Sequence, residues 1–286
     1  MKLTKYIWKT SILKVTNIKS ITFGLIMIVL GRSHALSMKT LSDSLNYPVS
    51  WCVMPFIMTS VMFLIMFWIG IVYIHSDIPF MQHINMYQLI RTGRVRWGIG
   101  QILGIFFRSL AAVLFSLIAT IIPLFPNIEW TNEWGRLLRT AAMTGVLGNY
   151  EYRYKIYYEI FDEFTPGEFI LLFVLICSLT ATLLGELMFL ISLYLNRVIA
   201  VAAAMAMSAL LFVVLNIHPK LSMYLAYFIP TVWAEVVRIV TPRLGYYWLP
   251  PISYMFTFLI TVILAISVLI LYRLKHIEFN WENDDI

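Results

Sequence analysis

The stretch MQHINMYQLIRTGRVRW, residues 81–97, is a polar, arginine-bearing interruption between two long apolar runs. The runs occupy residues 51–74 and 99–124. Each has the roughly 20 mostly apolar residues that an α-helix needs to cross a hydrocarbon core of about 30 Å. The pattern therefore predicts two neighbouring membrane-spanning helices joined by a short polar loop.

The composition agrees with a membrane protein. Of the 286 residues 60% are hydrophobic and 13% are charged, and the mean hydropathy is +0.82. Soluble domains are about half apolar and about a quarter charged. The net charge of +6 is carried between apolar runs, where it sets topology and meets lipid headgroups rather than nucleic acid. Cys52 and Cys177 lie within apolar runs, which predicts neither a disulfide framework nor a cysteine metal site.

Four further apolar runs bring the predicted number of membrane-spanning helices to six. They are residues 21–30, 169–193, 198–217 and 252–272. The first is short, because Lys19 precedes it and Arg32 follows it, so flanking side chains must extend toward the membrane surface. A cleaved signal peptide is the alternative for this run. A retained helix is favoured because five lysines precede it and the next run follows closely. We expect one transmembrane domain over residues 1–286.

Basic residues predict the orientation of the helices. Lysines within residues 2–19 and arginines within residues 91–96 are expected on the cytoplasmic side. Six spans then return the carboxyl end to the same side, so both termini are expected in the cytoplasm. Residues 1–17 interleave apolar residues with lysines, which predicts an interfacial helix on the inner leaflet. A plain basic anchor is the alternative.

The loop over residues 76–98 contains a predicted helix of about three turns. Ser76 and Asp77 can cap its start, Gly93 can end it, and apolar residues recur along one face at helical spacing. That face can dock in two places. One is the headgroup layer, with Arg94, Arg96 and Trp97 as anchors; the other is a groove on a soluble partner.

Taken together, a basic amino-terminal surface helix, six spans, a helix between spans two and three and a membrane-active segment before span six resemble the type-2 ABC transporter permeases. YQLIRTGRVRWGIGQ, residues 87–101, is similar to a loop of the small membrane subunits of ABC exporters from Gram-positive bacteria. YFIPTVWAEVVR, residues 227–238, is similar to their Pro-x-x-Trp stretch. One feature departs from the family: about 42 residues, 127–168, separate spans three and four, where family members have a short turn.

The resemblance implies a permease of the bacterial plasma membrane that exports an unknown cargo: a peptide, a bacteriocin or a lipid-like molecule. It implies a coupling helix that docks on a separate cytoplasmic ABC ATPase, with a smaller second contact at residues 195–197. ATP and Mg would be bound by that ATPase, and this chain, which has no phosphate-binding loop, would hold no cofactor itself. The other expected partners are a second permease copy or a related permease, and membrane lipids. The residues expected to contact the ATPase are Phe80, Ile84, Tyr87, Leu89, Arg91 and Arg94.

Two charges lie inside predicted spans. Arg108 and Glu186 are at similar distances from the inner ends of their helices. Because an unpaired charge at mid-membrane costs at least about 2.5–3.5 kcal/mol, we expect an ion pair between them. The pair would fix the helix register or line a translocation path.

Two outer segments are predicted. Residues 127–168 are rich in tyrosine, with a helix expected over 133–147 and a short strand over 150–155. Residues 218–251 are too polar to cross the membrane and too apolar for a free loop. A re-entrant helix that includes Pro230, Trp233, Glu235 and Arg238 is expected there. The alternative is a helix lying flat on the membrane, with Trp233 and Trp248 at the interface.

The sequence has no motif of a hydrolase or a metalloprotease, and its five histidines are scattered. We therefore expect no catalytic residue, no metal site and no enzymatic activity in this chain. The alternative to an exporter subunit is a membrane scaffold or immunity protein that binds a partner and transports nothing.

Overall fold

The computed structural model describes residues 17–77, 90–145, 154–243 and 245–276. The described chain is almost entirely helical. Its α-helices in chain order are α1 Ile18–Leu45, α2 Met54–Ile57, α3 Val61–His75, α4 Arg94–Ile121, α5 Gly135–Thr144, α6 Ile160–Glu163, α7 Pro166–Tyr194, α8 Arg197–Asn216, α9 Pro219–Ala226 and α10 Ile252–His276. Three 3₁₀ segments lie at Ile122–Leu124, Pro230–Ala234 and Val236–Ile239. Four two-residue strands are β1 Val49–Ser50, β2 Ile128–Glu129, β3 Pro242–Arg243 and β4 Tyr246–Tyr247.

Five described helices are long and apolar enough to cross a membrane: α1, α4 with its 3₁₀ extension, α7, α8 and α10. The predicted second span, residues 51–74, is instead divided into α2 and α3. Helix α3 has 15 residues, which at 1.5 Å each reach only about 22 Å of the roughly 30 Å core. Five of the six predicted spans therefore correspond to long apolar helices, and the predicted second span is not confirmed, because α3 is a short apolar helix.

The first helix is longer than its apolar run. Helix α1 has 28 residues, begins after Asn17, whose side chain accepts from the amide of Ile18, and ends at Asn46 in the left-handed conformation. It continues past Arg32 and His34. His34 is buried, within 2.9 Å of the Leu30 carbonyl and 3.3 Å of the Ser60 hydroxyl. These hydrogen bonds satisfy the ring of His34, so α1 can continue past this polar residue. Hydropathy alone had predicted an earlier end for the helix.

Helix α7 lies at the centre of the bundle, because it contacts α3, α4, α8 and α10, while α1 packs on α4. Thr165 and Glu168 form a capping box at its start. Glycines allow close approach between helices. A Cβ on Gly31 of α1 would stand 2.8 Å from the Ala119 carbonyl oxygen, and one on Gly185 of α7 would stand 2.6 Å from the side chain of Ile105.

The two ends of the bundle differ. We name them the loop end, which contains the start of α1, the end of α3 and the start of α4, and the strand end, which contains β1 and β2. At the strand end β1 and β2 pair in parallel, with Val49 opposite Ile128. The rings of Phe56, Trp134, Phe161 and Phe169 pack together above α7.

The outer segment over 127–168 is thus partly described. The predicted helix over 133–147 is found as α5, ended by Gly145 in the left-handed conformation. Of the predicted strand over 150–155, only Tyr154 and Lys155 are among the described residues, and neither is in a strand. Tyr154 is buried and accepts a 3.2 Å hydrogen bond from Ser37 of α1. Burial raises the pKa of the Tyr154 phenol above its usual value, although the Ser37 hydrogen bond lowers it.

Candidate functional site

The segment between α9 and β3 enters the helix bundle without forming an α-helix. We call residues 230–239 the re-entrant segment; it consists of two short 3₁₀ turns. The first turn begins at Pro230, which has no backbone N–H, and the second follows Glu235 directly. A single re-entrant α-helix was predicted here, so this part of the prediction is wrong, because the two turns break the helical hydrogen-bond ladder.

Two hydrogen bonds fix the depth of the re-entrant segment. Trp68 of α3 donates from its indole to the Thr231 carbonyl at 2.9 Å. The Thr231 hydroxyl donates to the Met207 carbonyl of α8 at 3.3 Å. Met207 lies nine residues before the end of α8 at Asn216, or about 14 Å along the helix. The segment therefore reaches the middle of α8, where non-helical backbone is tolerated only against protein or water.

Both tryptophans near this segment are buried. Trp233 has no exposed surface and donates to the Ala226 carbonyl at 2.6 Å, and its ring meets Phe258 of α10 at 5.5 Å. Trp248 is 3% exposed. The alternative of a flat helix with both rings in the interfacial belt is wrong, since these rings pack inside the protein.

A buried ion pair lies at the end of the re-entrant segment. The carboxylate of Glu235 is fully buried and contacts the guanidinium of Arg238, which is 18% exposed. Arg238 also bonds the second carboxylate oxygen at 3.3 Å. Its guanidinium carbon stands 4.2 Å from the centre of the Trp248 ring. The pair thereby connects the re-entrant segment to the chain that leads into α10.

A polar cluster at the loop end joins α1 to α3. Lys19 lies 2.6 Å from a carboxylate oxygen of Asp77 and donates to the Ser76 hydroxyl at 2.5 Å. Asn17 donates to the other Asp77 oxygen at 2.8 Å. We call these four residues the clasp. Sequence reasoning used Asp77 only as a helix cap, although it is the only acidic residue between Asp43 and Glu129.

The predicted coupling loop leaves directly from the clasp. Phe80, Ile84, Tyr87 and Leu89 lie outside the described residues, as does the predicted interfacial helix up to residue 16. Arg91 and Arg94 are exposed, and Gly93, at φ 82°, separates helical residues 90–92 from α4. Arg94 donates to the Lys275 carbonyl of α10 at 3.3 Å.

Trp97 is not an interfacial anchor. It is 1% exposed and meets the ring of Phe189 in α7 edge-on at 6.1 Å. The anchoring alternative is therefore wrong for this residue, because the first turn of α4 packs on α7 and directs the ring inward.

The predicted ion pair between Arg108 and Glu186 is absent, although both residues are described. Arg108, 4% exposed, donates to the Ile74 carbonyl at 3.0 Å. Ile74 is in the last turn of α3, where carbonyls lack intrahelical partners. Glu186 instead accepts hydrogen bonds of 3.1 and 3.2 Å from Ser267 of α10.

Helix geometry explains why the two charges do not meet. Gly185 packs on Ile105 of α4. Glu186 follows Gly185 and is turned from it by about 100° around α7, toward α10. Arg108 faces α3 on the other side. The close approach of Gly185 to Ile105 agrees with the prediction that Arg108 and Glu186 lie at similar depths. Their side chains face different helices, however, so they do not form the predicted ion pair.

The described residues contain no group of three or more His, Cys, Asp or Glu side chains that could hold a metal ion. The described polar contacts instead join helices at the clasp, at Arg108 and Glu186, and at the re-entrant segment. No family model, no curated protein and no solved structure matches this chain.

Proposed function

We propose that this chain is the membrane subunit of an ATP-driven exporter, and that a separate cytoplasmic ABC ATPase grips the loop over residues 76–98. The observation that supports the proposal is how the two ends of that loop are held. At one end Asp77 is tied to α1 by Lys19 and Asn17. At the other, Arg94 bonds the end of α10. A force on the loop would therefore act on α1, α3, α4 and α10 together.

In this proposal the loop end faces the cytoplasm of a bacterial plasma membrane, with both termini on that side. Basic residues near the loop end favour this orientation, since Lys and Arg concentrate in cytoplasmic loops. A second copy of the chain, or a related permease, completes the path. The cargo is a peptide, a bacteriocin or a lipid-like molecule.

The re-entrant segment would close the path from the other side. It reaches the middle of α8 and is bonded to both α3 and α8. A tilt of α3, driven through the clasp, would act on the Trp68 bond and shift the segment. In this way nucleotide binding to the ATPase opens the barrier. The two sites are coupled because the helix bundle has two stable arrangements.

Co-purification tests the ATPase partner. Tagged chain is isolated in mild detergent from membranes of the native organism, and bound ATPase activity is measured. The double variant Ile84→Asp with Tyr87→Asp should lose that activity, because it places charge on the predicted apolar face. The matched control, Gln82→Asp with Gln88→Asp on the polar face, should keep it. Activity that survives the first variant, or a chain that never carries an ATPase, would favour the non-transporting scaffold.

Cysteine labelling tests the orientation separately. His83→Cys places a thiol in the loop, and the background is low because Cys52 and Cys177 are both fully buried. A membrane-impermeant maleimide should label the variant in inverted vesicles and not in intact cells. Labelling of intact cells would place the loop outside and end the proposal.

A further inference from the structure

A groove lies between α3 and α8 at the loop end of the bundle. Its volume is about 570 Å³, within the range of about 300–1,000 Å³ that small-ligand sites have. The wall is mostly apolar, and several of its side chains are more than a third exposed. These are Ile69 and Tyr73 of α3 and Val198 and Met205 of α8. Within the described chain, the groove is therefore open toward the surroundings of the helices.

The groove begins at the edge of the membrane and not at its middle. Arg197, which lines its mouth, is the first residue of α8. The 20 residues of α8 at 1.5 Å each give about 30 Å, which is the thickness of the hydrocarbon core. Met205 lines the inner end of the groove, eight residues and about 12 Å further along α8. The groove therefore stays within the leaflet whose surface carries Arg197.

The mouth of the groove carries more positive than negative charge. Lys19 lies there, because its ammonium is 2.5 Å from the Ser76 hydroxyl and 5.4 Å from the centre of the Tyr73 ring, and both residues line the groove. Arg197 is exposed at the same mouth. The acidic residue described there is Asp77, bonded to Lys19. Two basic side chains thus face one acidic side chain.

The helix ends at the mouth also favour an anion. The amide of Val198 is in the first turn of α8, where N–H groups have no intrahelical acceptor and the helix dipole is positive. At the end of α3 the carbonyls would repel an anion, but two of them are occupied. The Tyr73 carbonyl accepts from the Ser76 hydroxyl at 2.8 Å, and the Ile74 carbonyl accepts from Arg108 at 3.0 Å. The attraction from α8 therefore outweighs the repulsion from α3.

We propose that this groove binds an anionic phospholipid, with its phosphate at Arg197 and the first turn of α8 and one acyl chain along the apolar walls. A guanidinium binds phosphate through charge-assisted hydrogen bonds, and the start of a helix adds backbone donors. Basic pockets between membrane helices at the surface bind lipid headgroups. The inference does not rest on the proposed transport function, since a lipid can occupy the groove whether or not cargo is moved.

The chemistry favours this occupant over its competitors. A free phosphate ion would leave the apolar walls unused. A zwitterionic lipid also has a phosphate, but its ammonium group would meet the basic mouth. A second copy of this chain would bring further basic residues, because Asp77 is the acidic residue described at the loop end. An anionic lipid matches both the apolar walls and the charge.

Photocross-linking tests the lipid identity. A benzophenone amino acid replaces Met205 in the groove, and as a control replaces Ile260, an exposed residue in the other half of α10. The full chain is placed in vesicles with equal amounts of phosphatidylglycerol and phosphatidylcholine, and the attached lipids are identified by mass spectrometry. Phosphatidylglycerol should be enriched about fivefold at the Met205 position, the ratio that corresponds to about 1 kcal/mol per basic residue, and not at the Ile260 position.

Charge variants connect the preference to the mouth of the groove. Arg197→Gln should remove the enrichment, and Arg197→Lys should keep part of it, because lysine retains the charge without the planar set of donors. The matched control Arg96→Gln removes an exposed charge at the same end of the bundle but outside the groove, and should leave the enrichment unchanged. Enrichment that persists in Arg197→Gln, that falls equally in Arg96→Gln, or that is the same at both probe positions would overturn the proposal.

A second pair of variants tests the groove itself while all charges are kept. Ala202→Phe fills the groove, because Ala202 lines it, whereas Ala209→Phe adds the same ring at an exposed position of α8 outside it. The first should reduce lipid cross-linking at the Met205 position, and the second should not. Cross-links from Met205 to a second copy, or to residues 78–89 or 277–286 of the same chain, in place of lipid would show that protein covers the groove and would also overturn the proposal.

Discussion

Removing the cation of the Glu235–Arg238 pair should be among the most damaging single changes in the chain. In Arg238→Leu the carboxylate of Glu235 stays fully buried and loses its guanidinium. Breaking a buried pair by deleting one partner costs about 3–5 kcal/mol, because an uncompensated charge remains. Arg238 is 18% exposed, so the lower half of that range is expected. Loss of the contact with Trp248 adds about 0.5–2 kcal/mol.

The double variant Glu235→Leu with Arg238→Leu separates the charge from the packing. It removes both charges, and replacement of a buried ion pair by apolar side chains is often neutral. We therefore expect the double variant to be more stable than Arg238→Leu alone. Glu235→Leu, which leaves a partly exposed cation, should lie between them.

Thermal unfolding in detergent, followed by tryptophan fluorescence, measures these differences. For chains above about 150 residues, 1 kcal/mol corresponds to about 2–4 °C. A loss of about 4 kcal/mol in Arg238→Leu should therefore lower Tm by roughly 8–16 °C. A double variant that is as unstable as Arg238→Leu would refute the reasoning, since the damage would then come from lost packing and not from the buried charge.

Two further changes have a predicted sign. Gly31→Ala should destabilise by about 1–3 kcal/mol, because its Cβ would stand 2.8 Å from the backbone oxygen of Ala119. Gly24→Ala is the control, since its Cβ would meet a side chain, the ring of Phe115, at 3.1 Å, and that ring is 40% exposed. Equal losses in Tm would contradict the packing argument. Burial raises the pKa of Tyr154, so the folded state favours the neutral phenol and stability should fall as pH rises above the unfolded value of about 10. Tyr154→Phe should remove that part of the fall in Tm, and an unchanged alkaline profile would contradict it.

The long apolar helices could be predicted from the sequence, because length and hydropathy determine whether a segment spans a membrane. The exceptions depend on hydrogen bonds between segments that lie far apart in the sequence. Helix α1 exceeds its apolar run because a hydrogen bond to Ser60 lets His34 be buried. The second span is broken near Thr59, whose hydroxyl accepts a hydrogen bond from the amide of Lys155, at 2.8 Å. That partner lies 96 residues away in the chain, so no local pattern reveals it.

The re-entrant segment differs in form from the single helix that the sequence predicted. Pro230, Glu235 and Arg238 mark a stretch that cannot cross as a regular helix. The sequence did not reveal that its backbone would be satisfied by tertiary partners. Those partners are Trp68 of α3 and Met207 of α8, and they exist only once the bundle has formed.

Arg108 and Glu186 show that a sequence determines how deep a charged residue lies in a helix but not the direction in which its side chain faces. Depth follows from counting residues at 1.5 Å each, and Gly185 against Ile105 places Arg108 and Glu186 at similar levels. The facing direction changes by about 100° per residue, so it depends on which line of each helix packs against a neighbour. Here Ser267 and the Ile74 carbonyl take the two side chains. The two charges are therefore held by different helices and do not pair.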